Sequence, residues 1–96
     1  MAVYVDDPVH RLGRMLMCHM VADTHQELIL MAAHIGVDRR WIQDAGSPKE
    51  HFDVCKSKRA LAVKAGALEV TSRRIVEIIR AKRQPPPPTS ATPREP

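Results

Sequence analysis

The stretch MLMCHMVADTHQELILMAAHIG, residues 15–36, places an apolar run directly before a clearly marked helix start. Thr24 and Glu27 have the spacing of a capping box, in which each side chain satisfies a backbone N–H of the other residue. Apolar residues then recur at helical spacing on one face, namely Leu28, Met31, Ala32 and Ile35. Gly36 supplies the left-handed residue that commonly ends a helix. The sequence therefore predicts a helix over 24–35.

Short apolar runs elsewhere predict strands. The run over 15–22 is interpreted as a buried strand, and the β-rich residues 2–5 form an opening strand that Asp6-Asp7-Pro8 stops. The segment between these two strands is too short for a crossover helix, so if they are neighbours they are antiparallel. Residues 67–70 are β-like as well, because Leu68 and Val70 are two apart.

Two further helices are predicted in the C-terminal half. Residues 57–65 are helical and Gly66 closes them with a positive φ. Residues 73–83 form a last helix that Thr71 or Ser72 caps. This helix offers four aliphatic side chains to the core, which are Ile75, Val76, Ile78 and Ile79.

The middle of the chain gives weaker signals. Residues 37–46 form a connector around Trp41-Ile42, with a short strand as one option. Ser47, Pro48 and Glu50 have the pattern of a helix start. The sequence leaves open whether 48–55 is helical or extended.

Interleaved strands and helices predict the α/β class, with one small domain over 1–83 whose short sheet is packed by about three helices. Residues 84–96 (QPPPPTSATPREP) hold no large apolar side chain, so a disordered proline-rich tail is predicted. This tail is interpreted either as a solvated segment or as a Pro-x-x-Pro ligand of another protein. A domain of this size has marginal stability, which leaves a homodimer open.

The cysteine pattern and the hydropathy of the chain indicate the cellular compartment. The two cysteines have no Cys-x-x-Cys spacing, and no run is apolar and long enough to span a membrane. We therefore expect reduced thiols in the cytoplasm and no membrane partner.

The charge is unevenly distributed along the chain. Residues 1–55 carry five basic and eight acidic residues, a net charge of −3, whereas 56–83 carry nine basic and two acidic residues, a net charge of +7. Such a basic segment favours polyanion binding, and solvated helix faces would give the same count. The candidate phosphate-binding residues are Lys58, Arg59, Arg73, Arg74 and Arg80. With three aromatic residues in all, a base-stacking platform is poorly supported.

Acidic and imidazole side chains form a second constellation. If 51–53 is extended, His51 and Asp53 share one face and could act together, with His19 as a further catalytic candidate. Carboxylates suit a divalent metal, for which the candidates are Asp6, Asp7 and Asp23. Antiparallel strands would put Asp6 and Asp23 at opposite ends, so turn and cap roles for these carboxylates remain the alternative. No other cofactor is indicated.

An alternative interpretation of 61–75 is a helix-turn-helix motif. Ser72 argues against this motif, because it occupies a position at which such motifs bury an aliphatic residue. The best-supported function is nucleic-acid binding through the backbone. The alternatives are a metal-assisted phosphodiester enzyme, a helix-turn-helix DNA reader and a protein-interaction or inhibitory module.

Several blocks, taken in order and spacing, resemble the bacterial and phage family called domain of unknown function 4031. They are AVYVDD (2–7), HMVAD (19–23), EL (27–28), HFDV (51–54), KRA (58–60), Ala62, AGA (65–67) and EV (69–70). The resemblance covers nearly everything but the tail. The family carries no assigned activity, so the resemblance implies a fold relationship and no mechanism.

Overall fold

A computed structural model describes residues 2–8 and 10–83, with the backbone alone at His10–Leu12. The tail predicted at 84–96 lies outside the described residues. The elements in chain order are β1 (Val3–Val5), β2 (His10–Leu12), β3 (Met15–Ala22), α1 (His25–Ile35), a 3₁₀ turn (Arg39–Trp41), β4 (Phe52–Cys55), α2 (Lys56–Lys64), β5 (Leu68–Glu69) and α3 (Ser72–Arg83). Strands and helices alternate along the chain, which confirms the predicted α/β class.

The sheet is built around β3. Met20 of β3 pairs with Val5 of β1 on one side and with Phe52 of β4 on the other, and both pairings are antiparallel. β2 pairs with the beginning of β3. β5 adds to the outer side of β1 in parallel, with Leu68 opposite Tyr4. The predicted antiparallel arrangement of the first strand and 15–22 is therefore confirmed.

The two faces of the sheet are covered by different helices. Side chains alternate between faces along a strand, and Cys18, Met20 and Phe52 point towards α1 and α2, where they join the main core with Leu28. The opposite face of β3 presents Val21 to a smaller cluster with Ile75 and Ile78 of α3. Because α3 covers only part of this second face, the remainder is left for polar residues.

The predicted helix ends are confirmed. Thr24 Oγ1 accepts from the Glu27 N–H at 3.2 Å, which is one of the two bonds of a capping box, and it also donates to Glu27 Oε1 at 2.8 Å. Gly36 ends α1 with φ 80°, and Gly66 follows α2 with φ 112°. Thr71 Oγ1 accepts from the N–H of Arg74 at 3.1 Å, so Thr71 caps α3.

The helix start predicted at Ser47–Glu50 is wrong, because the residues form a turn and the chain then extends into β4. Ser47 Oγ does accept from the Lys49 N–H at 3.1 Å, as in a cap. The Glu50 side chain, however, accepts instead from the Gly46 N–H at 3.0 Å. Residues 51–55 then alternate between the two faces, which resolves the open choice over 48–55 in favour of extended backbone.

The structure also resolves two segments for which alternatives were open, and it confirms the strand predicted within 67–70. The connector around Trp41 forms a 3₁₀ turn, capped by Asp38, and the isolated bridge there lies at Gln43. The helix-turn-helix alternative is wrong, because Leu68 and Glu69 hydrogen-bond into the sheet as a parallel strand. No helix in the described part of the chain has the length and apolar character needed to cross a membrane.

Candidate functional site

Polar side chains occupy the uncovered part of the second sheet face. Asp53 of β4 lies directly opposite His19 of β3, and the Asp6 N–H continues the β1 ladder by donating to the His19 carbonyl at 3.2 Å. His51 lies two residues before Asp53 and therefore on the same face. The register thus brings Asp6, His19, Asp53 and His51 together across three neighbouring strands.

Asp6 is fully buried and is held from several directions. Its Oδ1 accepts from the His19 backbone N–H at 2.7 Å, while Oδ2 lies 2.8 Å from His19 Nδ1 and accepts from Ser72 Oγ at 2.9 Å. Its carbonyl oxygen accepts from Arg59 Nε at 2.7 Å. An ionised carboxylate only accepts, so it fixes His19 as the tautomer with its proton on Nδ1. In this tautomer Nε2 is the ring nitrogen of His19 that carries no proton.

His51 is anchored by a different acceptor. Its Nδ1 donates to the Lys49 carbonyl oxygen at 2.8 Å, and its Nε2 lies 3.5 Å from Asp53 Oδ1. The other oxygen of Asp53 accepts from Gln43 Nε2 at 2.7 Å. The rings of His19 and His51 meet edge to face with their centroids 5.6 Å apart. Two imidazoles, each held through Nδ1, therefore share one small region.

This region lies in a cleft of about 320 Å³ between the loop that precedes β4 and the N-terminal part of α3. Its polar lining comprises Asp6, His19, Asp44, Lys49, His51 and Ser72. Its apolar wall comprises Val21, Ile75, Val76 and Ile79. A largely apolar cleft with a few convergent polar groups is the usual form of a ligand site.

Glu50 anchors the loop that forms one wall of the cleft. The side chain is almost entirely buried and accepts from the Gly46 N–H at 3.0 Å and from His25 Nδ1 at 2.8 Å. Burial raises the pKa of Glu50, but the hydrogen bonds from Gly46 and His25 outweigh it, so the pKa lies below its ordinary value. The loop is thereby tied to the first turn of α1 through an ionised carboxylate.

The three predicted metal ligands are not brought together. Asp6 lies in the cleft, whereas Asp23 lies at the far end of β3, where its carboxylate accepts from the Ala2 N–H at 2.7 Å and the Tyr4 hydroxyl at 3.1 Å. Asp7 is exposed. Among the residues that the structure describes, no group of three or more His, Cys, Asp or Glu side chains is arranged to hold a metal ion.

The basic residues divide between the two faces of the sheet. On the α2 side, Lys58 Nζ donates to the Ile35 carbonyl at 2.9 Å, and Arg59 binds the Asp6 carbonyl and Glu69 Oε1, the latter at 3.1 Å. These two cations therefore hold the fold together. On α3, Arg74 pairs with Glu77 at 3.1 Å, whereas Arg73 and Arg80 are exposed.

Some contributors were missed in the sequence. Ser72 is predicted above as a candidate helix cap and as a misfit to a helix-turn-helix, but not as part of a site. Its polarity was the signal, because it donates to the buried Asp6. Lys49 and Asp44 line the cleft without any local sequence signal. His25 contacts Glu50, which is distant in sequence, so no local pattern indicates this contact.

The fold and the site define a small α/β protein with two anchored imidazoles in a cleft between its sheet and its last helix. The family model described as "Protein of unknown function (DUF4031)" matches residues 3–82. The chain therefore belongs to this family, and the matched range contains every residue of the site. Comparison with curated proteins and with solved structures gives no match.

Proposed function

We propose that the chain binds nucleic acid through its phosphate backbone, along the cleft and the exposed side of α3. The observation that carries the proposal is the position of Arg73 and Arg80. They are seven residues apart and so lie on one side of the helix, next to Val76, which lines the cleft. Within the described chain neither forms an ion pair with a carboxylate. Lys49 adds a cation on the opposite wall.

The charge of α3 supports the same surface. This helix carries five basic residues and one acidic residue, a net charge of +4. Arg74 and Lys82 are already engaged, with Glu77 and with the Ala22 carbonyl. Phosphate contacts need cations in register and no base recognition, so Arg73 and Arg80 suit backbone binding.

Base reading has little support at this surface. Phe52 is buried, Tyr4 donates to Asp23, and neither lines the cleft. Trp41 is exposed but lies in the 3₁₀ turn, where Arg40 stacks on it with 5.0 Å between the guanidinium carbon and the ring centroid. Without aromatic platforms in the cleft, we expect weak preference among sequences.

We further propose a cytoplasmic setting. Cys18 and Cys55 are both free thiols, which suits a reducing compartment.

Fluorescence anisotropy with labelled duplex and single-stranded probes tests the binding. Starting near 50 mM salt, where backbone contacts are strongest, the wild-type protein should bind at micromolar concentrations, with affinity that falls as salt rises. Each contact on duplex DNA contributes a slope of about −0.9 in the log–log salt plot. In the double variant Arg73→Ala/Arg80→Ala, the magnitude of this slope should therefore fall by about 1.8.

The matched control is Lys56→Ala/Lys64→Ala, which removes the same charge from exposed positions of α2 on the other side of the sheet. It should leave the slope nearly unchanged. An equal loss in both double variants would mean that net charge and not this surface governs binding. If the wild type raises the anisotropy of neither probe near 50 mM salt, the proposal is wrong.

A further inference from the structure

The two histidines of the cleft are positioned for different proton-transfer roles. Asp6 holds Nδ1 of His19 at 2.8 Å, so a proton that arrives at Nε2 creates an imidazolium beside a buried carboxylate. This is the arrangement by which a carboxylate orients and supports a general base. His51 donates through Nδ1 to a carbonyl, and a proton on its Nε2 faces Asp53 Oδ1 at 3.5 Å. His51 can therefore carry the proton that a leaving group needs.

In the described lining of the cleft, no hydroxyl or thiol of the protein is available to these bases as a nucleophile. Ser72 is the hydroxyl residue in its lining, and it donates to Asp6. Cys18 points to the opposite face of the sheet and is buried, and burial raises its pKa to about 12. A hydroxyl nucleophile must therefore come from the substrate or from water.

We infer that the cleft cleaves RNA, with His19 as general base and His51 as general acid. The inference rests on the proposed nucleic-acid binding and adds the substrate class and the chemistry. RNA carries its own nucleophile, the 2′-hydroxyl, next to each phosphodiester. Lys49 in the cleft lining and Arg73, exposed on α3 next to the lining residue Ser72, would attract that phosphate towards the imidazoles.

All the atoms that react belong to the RNA strand and the two imidazoles. The 2′-hydroxyl gives its proton to His19 Nε2, and the 2′-oxygen forms a bond to phosphorus. The bond from phosphorus to the 5′-oxygen breaks, and that oxygen takes the proton of His51 Nε2. The products are a 2′,3′-cyclic phosphate and a free 5′-hydroxyl. Solvent then returns the two rings to their starting protonation states.

The test uses the full chain and a DNA strand that contains a single ribonucleotide, with an all-DNA strand and a 2′-O-methyl strand as controls. We expect cleavage only at the ribonucleotide, with a 2′,3′-cyclic phosphate end detected by mass spectrometry. His19→Ala and His51→Ala should each slow cleavage by about 100-fold or more, the usual contribution of a positioned acid or base. Strand binding, measured by anisotropy, should change little.

His34→Ala is the matched histidine control, because His34 is exposed on α1 on the other face of the sheet. It should cleave at the wild-type rate. All variants are purified identically and checked for folding by circular dichroism, so a contaminating nuclease would show itself as equal cleavage in every sample.

The outcomes separate the two proposals. Wild-type protein that binds the ribonucleotide strand without cutting it overturns the catalytic inference alone. Protein that binds no strand overturns both. Products with a 5′-phosphate, or cleavage of the all-DNA strand, overturn the 2′-hydroxyl mechanism, and so does unchanged cleavage by His19→Ala and His51→Ala.

Discussion

Asp6→Asn is the most informative single substitution, because it keeps the shape of a buried side chain and removes its charge. The carboxylate accepts three hydrogen bonds, from the His19 N–H, His19 Nδ1 and Ser72 Oγ. An asparagine whose oxygen accepts from the His19 N–H turns its NH₂ group towards the other two partners. His19 Nδ1 must then become an acceptor, so we expect the neutral ring to move its proton to Nε2.

The magnitude follows from the three bonds. Hydrogen bonds to a charged group contribute about 1.5–3 kcal/mol each, and neutral ones about 0.5–1.5 kcal/mol. Losing charge assistance in three bonds costs up to about 4 kcal/mol, which is partly offset because a neutral amide is easier to bury. We therefore expect Asp6→Asn to lower the free energy of unfolding by about 1–3 kcal/mol. Asp6→Ala should cost more, since it removes the acceptor of all three donors.

Two measurements check this prediction. Urea denaturation gives the stability of the wild type and both variants, and NMR of ¹⁵N-labelled histidine shows which ring nitrogen of His19 carries the proton. The wild type should show a proton on Nδ1 and Asp6→Asn a proton on Nε2. A His19 ring that keeps its Nδ1 proton in Asp6→Asn would refute the anchoring argument, as would a stability equal to that of the wild type.

Three further predictions concern the rest of the fold. Because the folded pKa of Glu50 is lowered, its ionised carboxyl stabilises the protein above its unfolded pKa, and this contribution is lost as pH falls through the folded pKa. Glu50→Gln should thus lower the free energy of unfolding by about 1–2 kcal/mol at pH 7. In urea denaturation at acidic pH, the stability difference between wild type and variant should become smaller, and a difference that does not change with pH would contradict this prediction. Cys55, whose pKa the hydrogen bond from Ser57 lowers, should be alkylated by iodoacetamide well before the buried Cys18, and mass spectrometry that finds both labelled at one rate would exclude this. Gly66→Val should lower the free energy of unfolding, measured by thermal denaturation, by about 1 kcal/mol or more, because φ is 112° at this position. No neighbouring atom lies within 4 Å of an added Cβ, so a steric clash would not contribute. An unchanged stability would therefore show that backbone strain is not the reason for glycine here.

Elements with local signals were predictable from the sequence. The strand over 15–22 and the helix after Thr24 have their predicted bounds because an apolar run, a capping box and a closing glycine all act within a few residues. β2 was missed, since its pairing with Met15–Met17 depends on the tight turn at Gly13, where φ is 61°. The turn at Ser47 was misjudged because His25, distant in sequence, helps to hold Glu50 away from the capping position.

The site was only partly predictable for the same reason. That His51 and Asp53 would share a face followed from extended backbone, but their place beside His19 depends on the register of β3 with β4, which no local pattern encodes. Counting charges in 56–83 likewise could not show that Arg59 binds the Asp6 carbonyl. Composition reports how many cations a segment has, whereas their partners are set by long-range packing.

The antiparallel pairing of β1 with β3 separates Asp6 from Asp23, as predicted, but it still allows a site at Asp6. In such a pair the residue that meets Asp6 is His19, which comes four residues before Asp23 on β3. The same carboxylate also accepts from Ser72 at the first turn of α3. Orientation of the imidazole and docking of α3 therefore depend on one buried group. Any substitution that loosens the first turn of α3 should therefore also change the orientation of the His19 ring, even when the substituted residue contacts neither histidine.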